Sequence, residues 1–526
     1  MRVYMAKRIE IFDSTLRDGA QGGNINFSAQ DKFNIMQLLD DFGVDYIEAG
    51  NPASNPKDME FFQMAADYSL KNAKLVAFGS TRRKGMTAPE DANVQALARA
   101  NAPIAAIFGK SWDLHVTEIL RTTEEENLNM IMETIAYIVS LGKEVFFDAE
   151  HFFDGYKANP AYAVKVIQAA EKAGASRIVL CDTNGGCLPD EVFAITQKAV
   201  EAVAVPVGIH CHNDTDCAVA SSLVAVKAGA LQIQGTFIGI GERCGNANLS
   251  AIIPGLALKM GLECGGSGSL AELTRTARAI AEIANIPLAD GKPYVGKSAF
   301  AHKGGMHVDG VRKNPVSFEH LPPETVGNQR NFLLSEVSGR TVILSKLSRF
   351  APELTKDSPE TIEIIDLLKE KEYKGFQYEA AEASFELLVK KHLGSLEDFF
   401  QIEYFKIIGE KSGETQNPSS AIVKVKVGDR TEIAAGEGDG PVNAIDKALR
   451  SALKIFYPIL DSVHLIDYKV RVMDSAAATA AVVRVLIEST DGEAVWTTVG
   501  ASADIINASV TALVDSIEYK LMRSEL

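Results

Sequence analysis

His210-Cys211-His212 follows an apolar run at 207–209 and sets two imidazoles at positions i and i+2. Alternate side chains of a strand share one face, so both rings point the same way and can grip one divalent cation, while Cys211 faces the other side. A cation held by two neutral histidines calls for an anionic ligand. Asp18 offers one, in Asp13-Ser14-Thr15-Leu16-Arg17-Asp18-Gly19 at the end of the first apolar run. One oxygen and two nitrogens leave positions open for substrate oxygens and water, as a catalytic rather than a structural site requires. Zinc, manganese, magnesium and cobalt all accept this mixture, and the residues do not choose among them. Asn246, in Gly241-Glu242-Arg243-Cys244-Gly245-Asn246, is a further ligand or the partner of one.

Other residues extend this chemistry. Arg17, next to Asp18, is placed to neutralise charge growing on an oxygen already polarised by a cation. Thr183, in Cys181-Asp182-Thr183-Asn184-Gly185, is placed to hydrogen-bond a small carboxylate, and Glu150 to orient water or a proton donor. His302 and His307 fall in Ala301-His302-Lys303-Gly304-Gly305-Met306-His307, a glycine-rich stretch read as a mobile loop that brings a base to a site when substrates are bound. The six cysteines form no C-x-x-C pair and no regular framework, so reduced thiols and no disulfides are expected.

The elements that must position these residues recur through the first half of the chain. Short β-branched or aromatic runs lie at 9–12, 46–48, 75–78, 104–108, 145–147, 178–180, 207–209 and 231–233. Helical segments separate them, such as 28–42, with Ser28 as N-cap and Gly43 as stop, and 160–172, with Pro160 in the first turn. Apolar strands alternating with helices indicate a parallel sheet covered on its outer face, and eight such units in about 250 residues indicate a closed (β/α)8 barrel. A doubly wound open sheet is the alternative. The polar residues separate the two: Arg17 and Asp18, Glu48, Ser80 with Arg82, Lys110, Glu150, Thr183, His210 with His212, and the glycine-rich 239–246 all lie at or just beyond the C-terminal ends of their strands. In a barrel those ends converge on one mouth.

The alternation stops near residue 275, so the chain divides into a barrel at 1–275, a helical connector carrying the two loop histidines at 276–385, and an α+β domain at 386–526. A charged helix is expected at 363–374, followed by strands such as 384–389 and 420–427. The last domain echoes itself at a shift of 64: Gly436 with Gly500, Val442 with Ile506, Asn443-Ala444 with Asn507-Ala508, Ala448-Leu449 with Ala512-Leu513. Each copy reads as strand, glycine turn and amphipathic helix, a pseudo-symmetric pair suited to binding or dimerisation.

Length and composition set the outer bounds. At 526 residues two or three domains are expected, and 23% charged with 46% hydrophobic residues describes a globular protein. No run approaches the length of a membrane span. The net charge of −16 argues against nucleic-acid and membrane-surface partners. Met1-Arg2-Val3-Tyr4-Met5-Ala6-Lys7-Arg8 lacks the apolar segment of a secretion signal, so a cytoplasmic protein is expected.

Asp13-Ser14-Thr15-Leu16-Arg17-Asp18-Gly19-Ala20-Gln21, His210-x-His212-Asn213-Asp214, Gly241-Glu242-Arg243-x-Gly245-Asn246 and Gly305-Met306-His307-x-Asp309-Gly310 together resemble the Claisen-condensing synthases. That family includes the 2-isopropylmalate, homocitrate and citramalate synthases, and the resemblance covers nearly the whole chain. Glu150-His151-Phe152-Phe153-Asp154-Gly155-Tyr156-Lys157 looks like the citramalate branch, because the other two branches usually carry an acidic residue where this chain has His151. The resemblance implies condensation of acetyl-CoA with pyruvate and thioester hydrolysis to (R)-citramalate and CoA, on the threonine-independent route to isoleucine. It further implies a homodimer and isoleucine feedback through the repeated tail. Arg17 would stabilise the developing alkoxide and Thr183 would hold the carboxylate. His307 would take the methyl proton with Glu150 as partner, and His302 stands nearby in sequence. Another 2-oxo acid, as in 2-isopropylmalate or homocitrate synthesis, is the alternative within the family. A 3-hydroxyacyl-CoA lyase would depend on a mobile-loop cysteine, here only Cys244, and lack the long tail; a non-catalytic amino-acid sensor predicts a broken metal set.

Overall fold

The computed structural model describes residues 8–332, 343, 344, 347, 349, 351–355, 357–378, 380–409, 419–473 and 481–524. They form two compact units, one made of the chain up to Phe300 with His320–Arg330, the other of Ala301–Glu319 with the chain from Asn331 onward.

The first unit is built on β1 (Glu10–Asp13), β2 (Tyr46–Gly50), β3 (Lys74–Ser80), β4 (Ile104–Lys110), β5 (Glu144–Glu150), β6 (Arg177–Asp182), β7 (Val207–Cys211) and β8 (Gln232–Gly235). They pair in sequence order and β8 closes on β1, all parallel, giving the (β/α)8 barrel. Alternation along each strand sorts the side chains into two layers. Phe12, Tyr46, Val76, Ile104, Ala106 and Phe146 fill the interior, whereas Ile11, Ile47, Leu75, Ala105 and Val145 join the layer under the helices. The expected helix punctuation is present: Ser28 caps the helix Ala29–Phe42 in a box with Asp31, Gly43 ends it at φ 95°, and Pro160 opens the helix Pro160–Lys172. The aromatic interior fills the barrel's middle, and polar side chains occupy the C-terminal ends of the strands.

The second unit carries the repeat. Strands Gln401–Gly409, Ser419–Val427 and Arg430–Gly438 form an antiparallel sheet followed by the helix Pro441–Lys454; strands His464–Val472, Val483–Thr490 and Val495–Ser502 do the same before the helix Ile505–Ser524. Both copies share one core, with Val423 and Val425 of the first and Val485 and Ile487 of the second beside Leu449 and Leu513.

Three local expectations are corrected. Gly436 and Gly500 lie inside the last strand of each copy, not in turns. A Cβ there would fall 2.6 Å from Ala448 N and 1.9 Å from Ala508 O, so each glycine is where a helix backbone crosses the sheet. The segment 384–389, expected as a strand, lies in the helix Glu382–His392, where Phe385 and Val389 share a buried stripe and Glu386 pairs with Lys390 at i,i+4. The stretch after Lys303, expected as a loop, becomes the helix Gly305–Lys313, which buries Val308 and Val311 and links Asp309 to Lys313. The charged helix expected at 363–374 is Pro359–Tyr373. Among the described residues no helix is long and apolar enough to cross a membrane.

Candidate active site

β7 directs His210 to the barrel interior, while Cys211 joins the layer under the helices. His212 lies one residue beyond the strand, held by a bridge to Asn246 and by its amide donating to Asp182 O at 3.2 Å. The two rings are 5.3 Å apart. After β1 the chain turns so that the Asp18 amide donates to Ser14 Oγ at 3.2 Å. Asp18 Oδ2 then lies 3.5 Å from His210 Nε2 and 3.7 Å from His212 Nε2. Two ligands of one cation sit roughly 3 to 3.5 Å from each other. Among the described residues this is the one group of three or more His, Cys, Asp or Glu whose ligand atoms lie within 4.8 Å.

The polar atoms around it fit a cation. His210 Nδ1 lies 3.0 Å from Gln234 Oε1, an acceptor, so Nδ1 carries the hydrogen and Nε2 turns a bare lone pair toward Asp18. Asn246 donates Nδ2 to Asp18 Oδ1 at 3.0 Å and leaves its own Oδ1 buried without a partner among the described residues. Gly241 makes room for that amide, since at φ 154° a Cβ there would fall 2.2 Å from Asn246 Nδ2. Lone pairs facing one another are repulsive unless positive charge lies between them. Burial opposes charge on Asp18, but Arg17, helped by the amide that Asn246 donates, outweighs it and holds its carboxyl well below the usual range. Burial pushes His210 down to about 4 and lowers His212 as well, keeping both rings in the neutral, ligating form.

Arg17 binds its neighbours from three sides. Nη1 donates to Asp18 Oδ2 at 3.0 Å, Nε donates to Glu48 Oε2 at 2.7 Å, and the guanidinium lies 3.9 Å from the ring centre of Phe78. Ser14 Oγ also donates to Glu48, at 2.5 Å. Phe78 in turn stacks on Phe108 at 5.1 Å. A cavity of about 250 Å³ opens over this floor, lined by Arg17, Asp18, Phe78, Phe108, Asp148, Glu150, Thr183, His210, His212 and Glu242 among others. Thr183 Oγ1 accepts the His151 amide at 2.9 Å, which leaves its hydroxyl hydrogen free to donate into the cavity. Glu150 is paired with Lys110.

The structure therefore brings Arg17, Asp18, Glu150, Thr183, His210 and His212 to one cavity, with Asn246 behind Asp18. His302 and His307 belong to the second unit. There His302 Nε2 is 3.1 Å from Glu319 Oε1, and His307, exposed in the first turn of its helix, stacks on Phe318 at 4.3 Å. Glu48, Phe78, Asp148 and Gln234 were not singled out as site residues by sequence. A signal existed for Asp148: Phe146, Asp148 and Glu150 share the inward face of β5 at a period of two.

Three family models cover the chain: HMGL-like over residues 8–280, homocitrate synthase post-HMGL domain-like over 294–372, and the LeuA allosteric (dimerisation) domain over 379–521. An (R)-citramalate synthase of Aquifex aeolicus is 52% identical, covering 99% of both chains. One of Geobacter sulfurreducens is 51% identical over 98% of both. A probable 2-isopropylmalate synthase of Methanopyrus kandleri is 32% identical over 98% of both. The closed parallel barrel, with its polar groups gathered at one mouth, is that of an HMGL-like enzyme. Within that class the chain belongs to the (R)-citramalate synthase family of acyltransferases.

Proposed function

We propose that the chain, as a cytoplasmic homodimer, condenses acetyl-CoA with pyruvate and hydrolyses the thioester to (R)-citramalate and CoA, in the threonine-independent route to isoleucine. The observation that carries this is the meeting of Asp18, His210 and His212 beside Arg17 and Thr183 in one small cavity of a chain so similar to (R)-citramalate synthases. A divalent cation held by Asp18, His210 and His212, with Asn246 at hand, would polarise the ketone of a 2-oxo acid. Arg17 is held by Glu48 and Phe78 where its charge offsets an oxyanion. Thr183 donates its hydroxyl to the substrate carboxylate. Glu150, paired with Lys110, orients a proton carrier, and His307 takes the methyl proton, with His302 as an auxiliary. The division into 1–275, 276–385 and 386–526 belongs to the same proposal.

The test is thiol release from acetyl-CoA with pyruvate, 2-oxoisovalerate or 2-oxoglutarate. Pyruvate is expected to lead by roughly tenfold or more in kcat/KM. A clear lead for 2-oxoisovalerate would shift the assignment to 2-isopropylmalate synthesis. His307→Ala is expected to lower kcat far more than it raises the KM for pyruvate; equal effects on both would make His307 a binding residue.

A second cavity supports the feedback role. In the second unit a space of about 520 Å³ is lined by Val442, Asn443, Asp446, Arg450, Val463, Leu465 and Tyr468 among others. Arg450 donates Nε to Asp446 and Nη1 to Val463 O, each at 2.8 Å, and its Nη2 is buried without a partner among the described residues. A guanidinium, a carboxylate and apolar walls suit the carboxylate, ammonium and side chain of isoleucine. Turnover unchanged at saturating isoleucine would remove this proposal. The match to the LeuA dimerisation domain supports the homodimer, and light scattering at twice 56.7 kDa is the expected result.

A further inference from the structure

We infer that Gln234 and Asp148 are positioning residues that fix which ring nitrogen His210 presents to the cation, an inference that rests on the cation-dependent reading above.

The register of the barrel makes the contact. Gln234 of β8 pairs with His210 of β7 on one side and with Phe12 of β1 on the other, so its side chain is fully buried in the interior. Its amide has two unlike ends. Oε1 lies 3.0 Å from His210 Nδ1, and Nε2 donates to Asp148 Oδ1 at 3.3 Å. Asp148, also buried, accepts on Oδ1, so the NH2 end of Gln234 faces it and the carbonyl end faces His210. Only an imidazole with hydrogen on Nδ1 satisfies that carbonyl. The lone pair is then on Nε2, the atom 3.5 Å from Asp18 Oδ2.

Two comparisons within the barrel sharpen this. His212 Nδ1 is buried with no hydrogen-bond partner among the described residues, so the orientation imposed on His210 is not imposed on its neighbour by them. Gln232 lies two residues earlier on the same face of β8 and donates Nε2 to Glu10 at 3.3 Å, alongside the Glu10 pair with Arg177. One glutamine therefore braces the far end of the barrel while the other meets a ligand. A ligating histidine commonly gives its second nitrogen to a carboxylate or carbonyl. Here a neutral amide joins the ring to a carboxyl group that does not itself touch it.

The test uses the full chain stripped of metal. Calorimetric titration with Mn²⁺ alone measures affinity, and ¹⁵N NMR of histidine-labelled, metal-free protein reads the tautomer. Wild type is expected to show His210 with hydrogen on Nδ1. Gln234→Leu should redistribute that tautomer and weaken Mn²⁺ binding about ten- to a hundredfold. Asp148→Leu, the second variant should Gln234→Leu fail to fold, should weaken it in the same direction. Asp148→Asn retains an accepting oxygen and should restore most of the affinity, and Gln232→Leu should leave it unchanged. An unaltered tautomer and affinity in Gln234→Leu, or an equal loss in Gln232→Leu, would overturn the inference. Wild type that binds no Mn²⁺ would instead overturn the cation-dependent reading, and the NMR arm would still decide the tautomer.

Discussion

At the barrel mouth, Asp18, Glu48 and Asp148 surround Arg17 in one network that ends in an open cavity. In the C-terminal unit the polar groups end on other elements of the same unit: Asp515 accepts from Ser384 Oγ at 2.5 Å, Glu518 pairs with Lys391 at 2.6 Å, and Trp496 Nε1 donates to Ser516 Oγ at 3.1 Å. The first arrangement leaves charge and lone pairs unspent, and the second uses them to join helix to helix and helix to sheet. Burying ionisable groups without mutual satisfaction costs several kcal/mol, and folds tolerate that cost chiefly where chemistry needs it. The apolar packing differs in the same sense. The barrel is filled by large rings such as Phe12 and Phe146, whereas the repeat brings helix backbones down onto glycine.

Substitutions separate the two regions. The largest effect is expected for His210→Ala or Asp18→Ala, which should lower kcat by about a thousandfold or more while the unfolding of the C-terminal unit stays unchanged. Steady-state kinetics with calorimetric melting checks both halves. Arg17→Lys keeps the charge but loses the fork that reaches Asp18 and Glu48 together, so a fall of about a hundredfold in kcat is expected. A loss confined to KM would make Arg17 a simple anchor. Gly500→Val should do the reverse, destabilising the C-terminal unit by about 3 kcal/mol through its clash with Ala508 and leaving Mn²⁺ binding by the barrel intact. Weakened Mn²⁺ binding would show that the two regions are not independent.

Taken per pH unit, the smallest effect concerns pH. Burial, reinforced by the charge of Glu48, pushes Asp13 up to about 7 despite the amide that Thr15 donates to it. Between about pH 4 and 7 the folded chain therefore holds a proton that the unfolded chain has released. Barrel stability should fall as pH rises through that window, by no more than about 1.4 kcal/mol per pH unit. Asp13→Asn should flatten the slope in denaturant titrations, and an unchanged slope would exclude Asp13 as its source.

Much of the mouth was legible because strands impose a period of two. His210 and His212, the strand-end positions of Glu150 and Thr183, and the eight apolar runs all follow from that rule. The partners were harder to see. Gln234 and Asp148 are single polar residues inside apolar strands, and what they meet depends on register across the barrel, which no local pattern encodes. The same limit produced the misread segments. A short apolar run such as 384–389 fits either period, and the pair Gly304-Gly305 begins a helix as readily as it extends a loop. Gly436 and Gly500 were recognised as a repeat, but the reason for them lies in helices that follow later in the chain.

The central claim is that Asp18, His210 and His212 hold one cation on which turnover depends. Chelation of the metal followed by stepwise return of Mn²⁺, with CoA release from acetyl-CoA and pyruvate as the readout, tests it most directly. Turnover is expected to fall about a thousandfold or more and to recover at one Mn²⁺ per chain. Undiminished turnover in the stripped protein would contradict the claim.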